Sequence, residues 1–581
     1  MRLLSNNLHL SSNNQRLLDN NLPLLGTDSF PLVMQQIFPA WEQNVPSLGM
    51  DCSHGGNKKR SVAVVFSGSI CHIRNKCCIF ALRTIISQTM KSAPLLYIVI
   101  CLVAGIVAGE YIRISFPLFP LLLASVAASL FLWHRPYAQS AAVGVCVFVL
   151  GWLVMERQQR ALQVEWSNAE VSYEAVVISE PVEKKKTIGV DLLLAKSGRK
   201  IKSYFYKDER SRHLRIGDGL KIQSAIKANR EWRRGNFSYK RYLEIHGFTG
   251  STYVAGWKWQ HAQVSLRDVS RLERTILFFL KLRSRLLSRL RDEGGGGDSF
   301  AVVAAMGLGD KSSLSKELRD VYSVTGGAHV LALSGLHLGI IYMLLSWLIV
   351  GRRWRNVSLL VIILSIWAFV FLVGLSTSVV RSAIMLSVYA LMSLGHRDKM
   401  SVNTLAFTAI VMLLVNPLSL FDVGFQMSFA AVGFILLLLP LFEEMAPMQV
   451  LLVHPVLKWL MTMMAVSCAA QLGTAPLIAY YFGRFSTYFL LTNLVVIPAV
   501  TLILYLSVAV LLVPSLLHLL LYIAGLLNQI LGKIATFPGA SVEIHPSLLQ
   551  TLLVYVVIFA SYLLIRKIIQ VAGWSPSRRG W

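Results

Sequence analysis

The sequence predicts a polytopic α-helical membrane protein of about ten to twelve transmembrane helices, with one small β domain inserted among them. Three observations carry that prediction. Of the 581 residues, 55% are hydrophobic and only 15% are charged, with a mean hydropathy of +0.56. An ordinary soluble domain carries about 25% charged residues. The apolar residues fall in successive charge-poor runs joined by short polar stretches. One block alone, residues 157–292, has soluble character. Soluble-enzyme folds, collagen-like fibres and fully disordered chains are therefore excluded. The balance of 56 basic to 30 acidic residues, net +26, calls for a polyanionic partner: nucleic acid, anionic lipid headgroups or both.

Residues 1–89 differ from the rest. Asn and Ser cluster early, no helical or strand period is sustained, and no basic start leads into a long apolar core. The segment reads as disordered or as an over-extended start, since Met90-Lys91-Ser92-Ala93 stands directly before an apolar run. Four of the seven cysteines (Cys52, Cys71, Cys77, Cys78) lie there. None forms a C-x-x-C pair and no Cys/His spacing fits a zinc site, so no metal and no cofactor is expected.

The N-terminal membrane segment is 90–156. Its runs at 94–109, 116–133 and 140–155 each nearly span a hydrocarbon core of ~30 Å at ~1.5 Å rise per residue. Residues 157–292 then hold 29 Lys+Arg against 14 Asp+Glu. Strand alternation marks Val171–Val177, Ile201–Tyr206 and Gly219–Ile222, with turns at Ser197-Gly198 and Gly217-Asp218-Gly219. Short strands at that spacing predict a small barrel or sandwich over 157–270. Residues 271–297 comprise a basic amphipathic helix and a glycine joint, Gly294–Gly297. A helix of this composition is expected to lie flat on a membrane.

From 298 to 569 the chain is membrane again. Spans are predicted at 328–350, 356–374, 378–395, 402–416 (short), 423–442, 459–482, 485–512, 515–533 and 546–565, followed by a tail, 570–581. Basic short loops face the cytoplasm. The group Arg352, Arg353 and Arg355, the pair Arg397 and Lys399, and the tail with Arg566, Lys567, Arg578 and Arg579 fall on one side by parity. The 157–270 domain then lies outside the cytoplasmic membrane, with the C-terminus inside.

Polar residues within the apolar half are costly unless they face water or protein. The densest set is Gly326–Gly339, with His329, Ser334, Gly335 and His337. On one straight helix the two histidines are about 80° and ~12 Å apart, so they do not share a metal. Ser334 and His337, three residues apart, are not expected to aim at each other as a catalytic pair. Gly307–Ser312 lacks the contiguous Gly-Lys-Ser/Thr of a phosphate-binding loop. Arg381 is the lone charge between Arg355 and Arg397. Asp422, Gln426, Gln471 and Asn493 add a sparse polar interior. His329, Ser334, His337 and Arg381 are expected to frame an external mouth. In the β domain, Arg230, Trp232, Arg233, Arg234, Tyr239, Lys240, Arg241 and Tyr242 interleave cations with rings, a pattern that suits phosphates and stacked bases of single-stranded nucleic acid. A solvated loop with inward-packed aromatics is the plain alternative.

Taken together, Gly309-Asp310-Lys311, the run Gly327–His337, Gly374 with Arg381, Asn416-Pro417, Gly424–Phe429 and Gly235–Leu243 resemble the ComEC family, inner-membrane DNA channels of natural transformation. The resemblance covers about 94–565. It implies an extracytoplasmic OB-like β-barrel, a polytopic competence domain, inward passage of single-stranded DNA, and candidate partners among DNA receptors, cytoplasmic helicases or ATPases and further copies of the chain. Many members add a C-terminal metallo-β-lactamase-like nuclease. No H-x-H-x-D-H signature stands in this sequence, so a short, non-enzymatic form is expected. The rival readings are a transporter of an anionic lipid or glycolipid phosphate, and an intramembrane hydrolase.

Overall fold

Three helices open the computed structural model: α1 (Pro94–Tyr111), α2 (Leu118–Phe131) and α3 (Pro136–Leu162). The structure describes residues 93–112, 118–167, 169–234, 236–349, 355–394, 402–446 and 454–571. The predicted disorder of 1–89, the tail from 572 and the basic loop residues Arg352, Arg353, Arg397 and Lys399 lie outside the described residues. Pro94 and Pro136 take the first helical position, where a missing N–H costs nothing. The backbones of α1 and α3 nearly touch. A Cβ on Gly105 would stand 1.9 Å from the Phe148 carbonyl oxygen, and one on Gly151 2.5 Å from that of Leu102. Small residues are what permit such an approach between membrane helices.

The β domain follows: β1 (Val171–Val177), β2 (Val182–Glu183), β3 (Thr187–Leu194), β4 (Lys200–Tyr206), the short α4 (Glu209–Arg212), β5 (Gly219–Ser224), β6 (Ile226–Lys227), β7 (Arg233–Arg234), β8 (Phe237–Ser238), α5 (Tyr239–Ile245), β9 (Phe248–Val254) and β10 (Trp259–His261). Alternation works as expected. On β4, Ile201, Ser203 and Phe205 are buried while Lys200, Lys202, Tyr204 and Tyr206 are not. The main sheet runs β10-β5-β1-β3-β4-β9-β6, and its one parallel pairing is β4 with β9. The ladder does not close into a barrel. β5 and β6 pair toward opposite ends of the sheet, separated by Ala225 alone, whose carbonyl accepts from the Thr252 hydroxyl at 3.0 Å. There the hydroxyls of Tyr173, Ser224 and Thr252, linked at 2.8 Å each, stand where ladder bonds would continue.

The basic helix α6 (Arg271–Gly294) is not simply a float on a membrane surface. Leu277 and Leu280 pack with Val176 and Ile216 of the β domain, while Leu287 packs with Phe300 and Ala304 further on. α6 thus joins the two halves of the molecule. At the glycine joint after it, Gly295 and Gly297 take positive φ, 71° and 112°.

Next come α7 (Asp298–Leu308), α8 (Lys316–Thr325), α9 (Ala328–Leu331), α10 (Gly335–Ile349), α11 (Arg355–Val373), α12 (Thr377–Leu394), α13 (Val402–Val415), a 3-10 turn at Pro417–Phe421, α14 (Val423–Met445) and α15 (Pro455–Phe482). Then follow β11 (Arg484–Ser486), α16 (Phe489–Val510), α17 (Leu517–Ala535), β12 (Ser541–Glu543) and α18 (Leu548–Val571). β11 and β12 form an antiparallel pair that the sequence reading missed. α7, whose Phe300–Met306 already reads as helical in the sequence, is buried along nearly its whole length in a core shared with α16 and α17.

Eight helices among the described residues are long and apolar enough to cross a membrane. This is fewer than the ten to twelve expected. The runs predicted at 116–133, 328–350, 378–395 and 402–416 appear as shorter apolar helices. A helix of 14 residues, such as α2 or α13, rises only ~21 Å against ~30 Å of hydrocarbon. The 328–350 span is broken outright. α9 stops at Leu331, Ala332 is extended (φ −94°, ψ 119°), and helix resumes at Gly335. Ser favours the position before a helix over its interior, and Ser334 takes that place.

Candidate nucleic-acid path

The break between α9 and α10 places three of the expected residues together. Ser334 Oγ lies 3.1 Å from His337 Nδ1, and the Ser334 main-chain N–H donates to the same nitrogen at 3.4 Å. The expectation that these side chains would not aim at each other assumed one continuous helix. Ser334 instead precedes the first turn, and a side chain three residues on reaches back to it as in a capping box. Nδ1 accepts, so the ring proton resides on Nε2, which is buried without a partner. Among the described residues no group orients that imidazole as a serine hydrolase would require.

Arg381 meets this turn from α12. A Cβ on Gly335 would stand 2.7 Å from Ser382 Oγ and 3.1 Å from an Arg381 terminal nitrogen, so any larger residue would force those side chains to shift. The guanidinium is 5% exposed and donates to Ser428 Oγ at 2.7 Å and to Ser382 Oγ at 3.3 Å. No carboxylate lies within ion-pairing distance of it among the described residues. Asp422 instead caps α14, accepting from Phe425 N–H at 3.2 Å, and takes the Thr377 hydroxyl at 3.0 Å. Gln426, one turn further, accepts from the Tyr481 phenol at 2.9 Å and donates to the Leu420 carbonyl at 3.0 Å.

The remaining expected path residues stand apart. The His329 ring bonds the Gly326 carbonyl at 2.9 Å, and a Cβ on Gly326 would stand 3.0 Å from Ser486 Oγ. The hydroxyls of Ser486 and Thr492 and the Asn493 amide oxygen are all buried without partners. They make a second polar group. Gln471 is half-buried on α15 and, among the described residues, hydrogen-bonds to neither group.

In the β domain the expected cluster divides. Arg230 and Trp232 are exposed, while Arg233 is held by Glu231 at 2.5 Å and Lys240 faces Glu244 at 3.9 Å. The side chain of Arg234 lies outside the described residues. Arg241 is engaged with Glu110 of α1 at 2.9 Å. The aromatics, by contrast, extend further than the sequence reading saw. Trp232 and Tyr239 meet at 6.2 Å, Tyr239 stacks near Tyr242 at 6.1 Å, and the Tyr239 phenol lies beside Tyr204. Tyr204 stacks on Tyr253 at 5.0 Å, its direct partner across the parallel β4–β9 pair. Lys184 Nζ caps the Tyr204 ring at 4.4 Å. Burial and the neighbouring phenols push Tyr204 up from its ordinary value, so it stays neutral and a hydrogen-bond donor. Burial and the nearby Lys202 pull Lys184 down, a repulsion that a bound anion would relieve. The signal for Tyr204 was present in the strand alternation. Its pairing with Tyr253 was not, because parallel register between distant strands leaves no local mark.

Comparison with known proteins matches residues 306–568 to the family described as "Competence protein". With eight membrane-length helices among its described residues, the chain is a multi-pass membrane protein. It is 30% identical over 269 residues to ComE operon protein 3 of Bacillus subtilis, covering 46% of this chain and 32% of that protein. It is 33% identical over 201 residues to an uncharacterised protein of Aquifex aeolicus, 34% of this chain and 45% of that one. It is 24% identical over 227 residues to the uncharacterised protein YcaI of Escherichia coli, 38% and 29% respectively. The matches therefore span less than half the length of each relative. No solved structure matches the chain. The break between α9 and α10, Arg381 and the Asp422–Gln426 turn all lie inside the matched stretch, 306–568.

Proposed function

We propose that the chain carries single-stranded DNA across the cytoplasmic membrane, with the β domain as its external receiving surface. One observation supports this above the others: the aromatic row of the β domain adjoins the polar turns of the membrane domain. Asn236, between β7 and β8, donates to the Tyr480 carbonyl at 3.0 Å. Tyr480 packs on Tyr481, which bonds Gln426. From there the polar side chains lead by Asp422 and Thr377 to Arg381 and the open turn at Ser334. Rings offer every base a stacking face, lysines meet phosphates, and the interior has few cations to trap a polyanion. The strand order, with its parallel β4–β9 pair, supports an OB-like reading of the sheet. We read the chain as a conduit rather than an enzyme, since the Ser334–His337 pair lacks an orienting group.

A transporter of anionic lipid phosphate would use the lysines but not the rings. The full chain in detergent should therefore bind single-stranded DNA without sequence preference, and affinity should fall steeply with salt as counterions are released. Replacing both Tyr204 and Tyr253 with alanine should cost about 1–3 kcal/mol per lost stacking contact. Equal binding by the double variant, or indifference to salt, would reject the assignment. Sidedness is tested separately. In a background without native cysteines, a Ser197→Cys thiol should react with an impermeant reagent in cells stripped of any outer barrier, whereas Lys567→Cys should not. The reverse pattern would put the β domain inside.

A further inference from the structure

Helix α5 is where the β domain meets the membrane domain. Its Ile245 is buried among side chains of the other half: Leu102, Ile106, Met155, Met412 and Phe425. The Ile245 carbonyl accepts from Asn416 Nδ2 at 3.0 Å. Arg241 contacts Glu110 at 2.9 Å, and its guanidinium lies over the Phe421 ring at 4.7 Å. The second Glu110 oxygen accepts from Gln159 of α3 at 2.7 Å. One carboxylate thus ties the β domain to two membrane helices at once. Both ends of the pair are only about a quarter exposed or less, at 25% and 19%.

We infer that Arg241 is a positioning residue: it pins α5 to Glu110 and so holds the aromatic row in register with the Gln426 turn. This inference rests on the proposed passage of DNA, but its geometry does not. A phosphate reaching Arg241 would have to displace Glu110 and leave a half-buried carboxylate facing a polyanion, which is unfavourable. Tyr239 and Tyr242 flank Arg241 on the same short helix. Any tilt of α5 therefore carries part of the row away from Tyr481.

The test uses the full-length protein carrying Arg241→Glu, Glu110→Arg or both, with Glu110→Gln as the mild variant. Each is scored for DNA import per folded molecule, for single-stranded DNA affinity and for amide hydrogen exchange across 239–245. Each single reversal should speed exchange in α5 and cut import by about tenfold, while Glu110→Gln leaves DNA affinity within about twofold. The double reversal should restore import and protection, because contacting residues show coupling that single changes do not. A loss of DNA affinity on Arg241→Glu that the double reversal fails to recover would instead make Arg241 a DNA ligand. Exchange in α5 unchanged by any variant would overturn the pin. If the unaltered protein imports no DNA, the functional proposal falls, and the exchange measurement still decides whether Arg241 pins α5.

Discussion

Replacing Arg381 with alanine is expected to cut DNA import roughly thirty- to hundredfold with no loss of folded protein or of external DNA binding. A charge-assisted hydrogen bond to phosphate is worth about 2–3 kcal/mol, and each 1.4 kcal/mol is about tenfold. The expectation of intact folding follows from the partners. Arg381 donates to the hydroxyls of Ser428 and Ser382 and to the Met385 sulfur, none of them anionic. A buried cation held only by neutral groups contributes little to stability, and its removal relieves a desolvation cost. Arg381→Lys should recover part of the import, since a point charge replaces a forked donor. Normal import by a stably produced alanine variant would remove Arg381 from the path. A fall in folded protein for both variants would make it a packing residue.

The second large effect is on folding. Gly105→Ala should destabilise the α1–α3 packing by about 2 kcal/mol, the usual range for forcing atoms into a packed interface. The added methyl group would collide with the Phe148 main chain, which cannot rotate aside. Gly151→Ala should behave alike against the Leu102 carbonyl. Gly433→Ala is the control: it lies within α14, nothing stands within 4 Å of its would-be Cβ, and alanine is the better helix former. Thermal unfolding of the purified protein reads all three. A Gly105→Ala midpoint equal to that of Gly433→Ala would mean the two helices do not pack this closely.

Much of the molecule was legible because its signals are local. β1 ends where its alternation ends, α6 announces itself by its period, and most spans match their hydropathy. What failed was non-local. The run 328–350 is apolar throughout, and neither Gly326-Gly327 nor Ser334-Gly335 forbids helix by propensity alone. The break depends on Arg381 and Ser382 arriving from α12. Arg241 was grouped with its basic sequence neighbours, and its ion pair with Glu110 was not foreseen. Its acidic partner, Glu110, lies on a helix that precedes the whole β domain. Tyr253 was overlooked for the same reason, since only the β4–β9 pairing sets it against Tyr204.

The interruption between Leu331 and Gly335 has a consequence for how this protein should be dissected. Part of its polarity resides in the main chain: the peptide groups of Ala332 and Leu333, which lie between the two helices. Alanine scanning leaves every one of those amides and carbonyls in place, and Ala332 is already alanine. A conventional scan would therefore find quiet positions at 332 and 333, in the middle of the break. Exchanging the peptide link for an ester, which deletes one donor and weakens one acceptor, would address the surface that a side-chain scan does not sample.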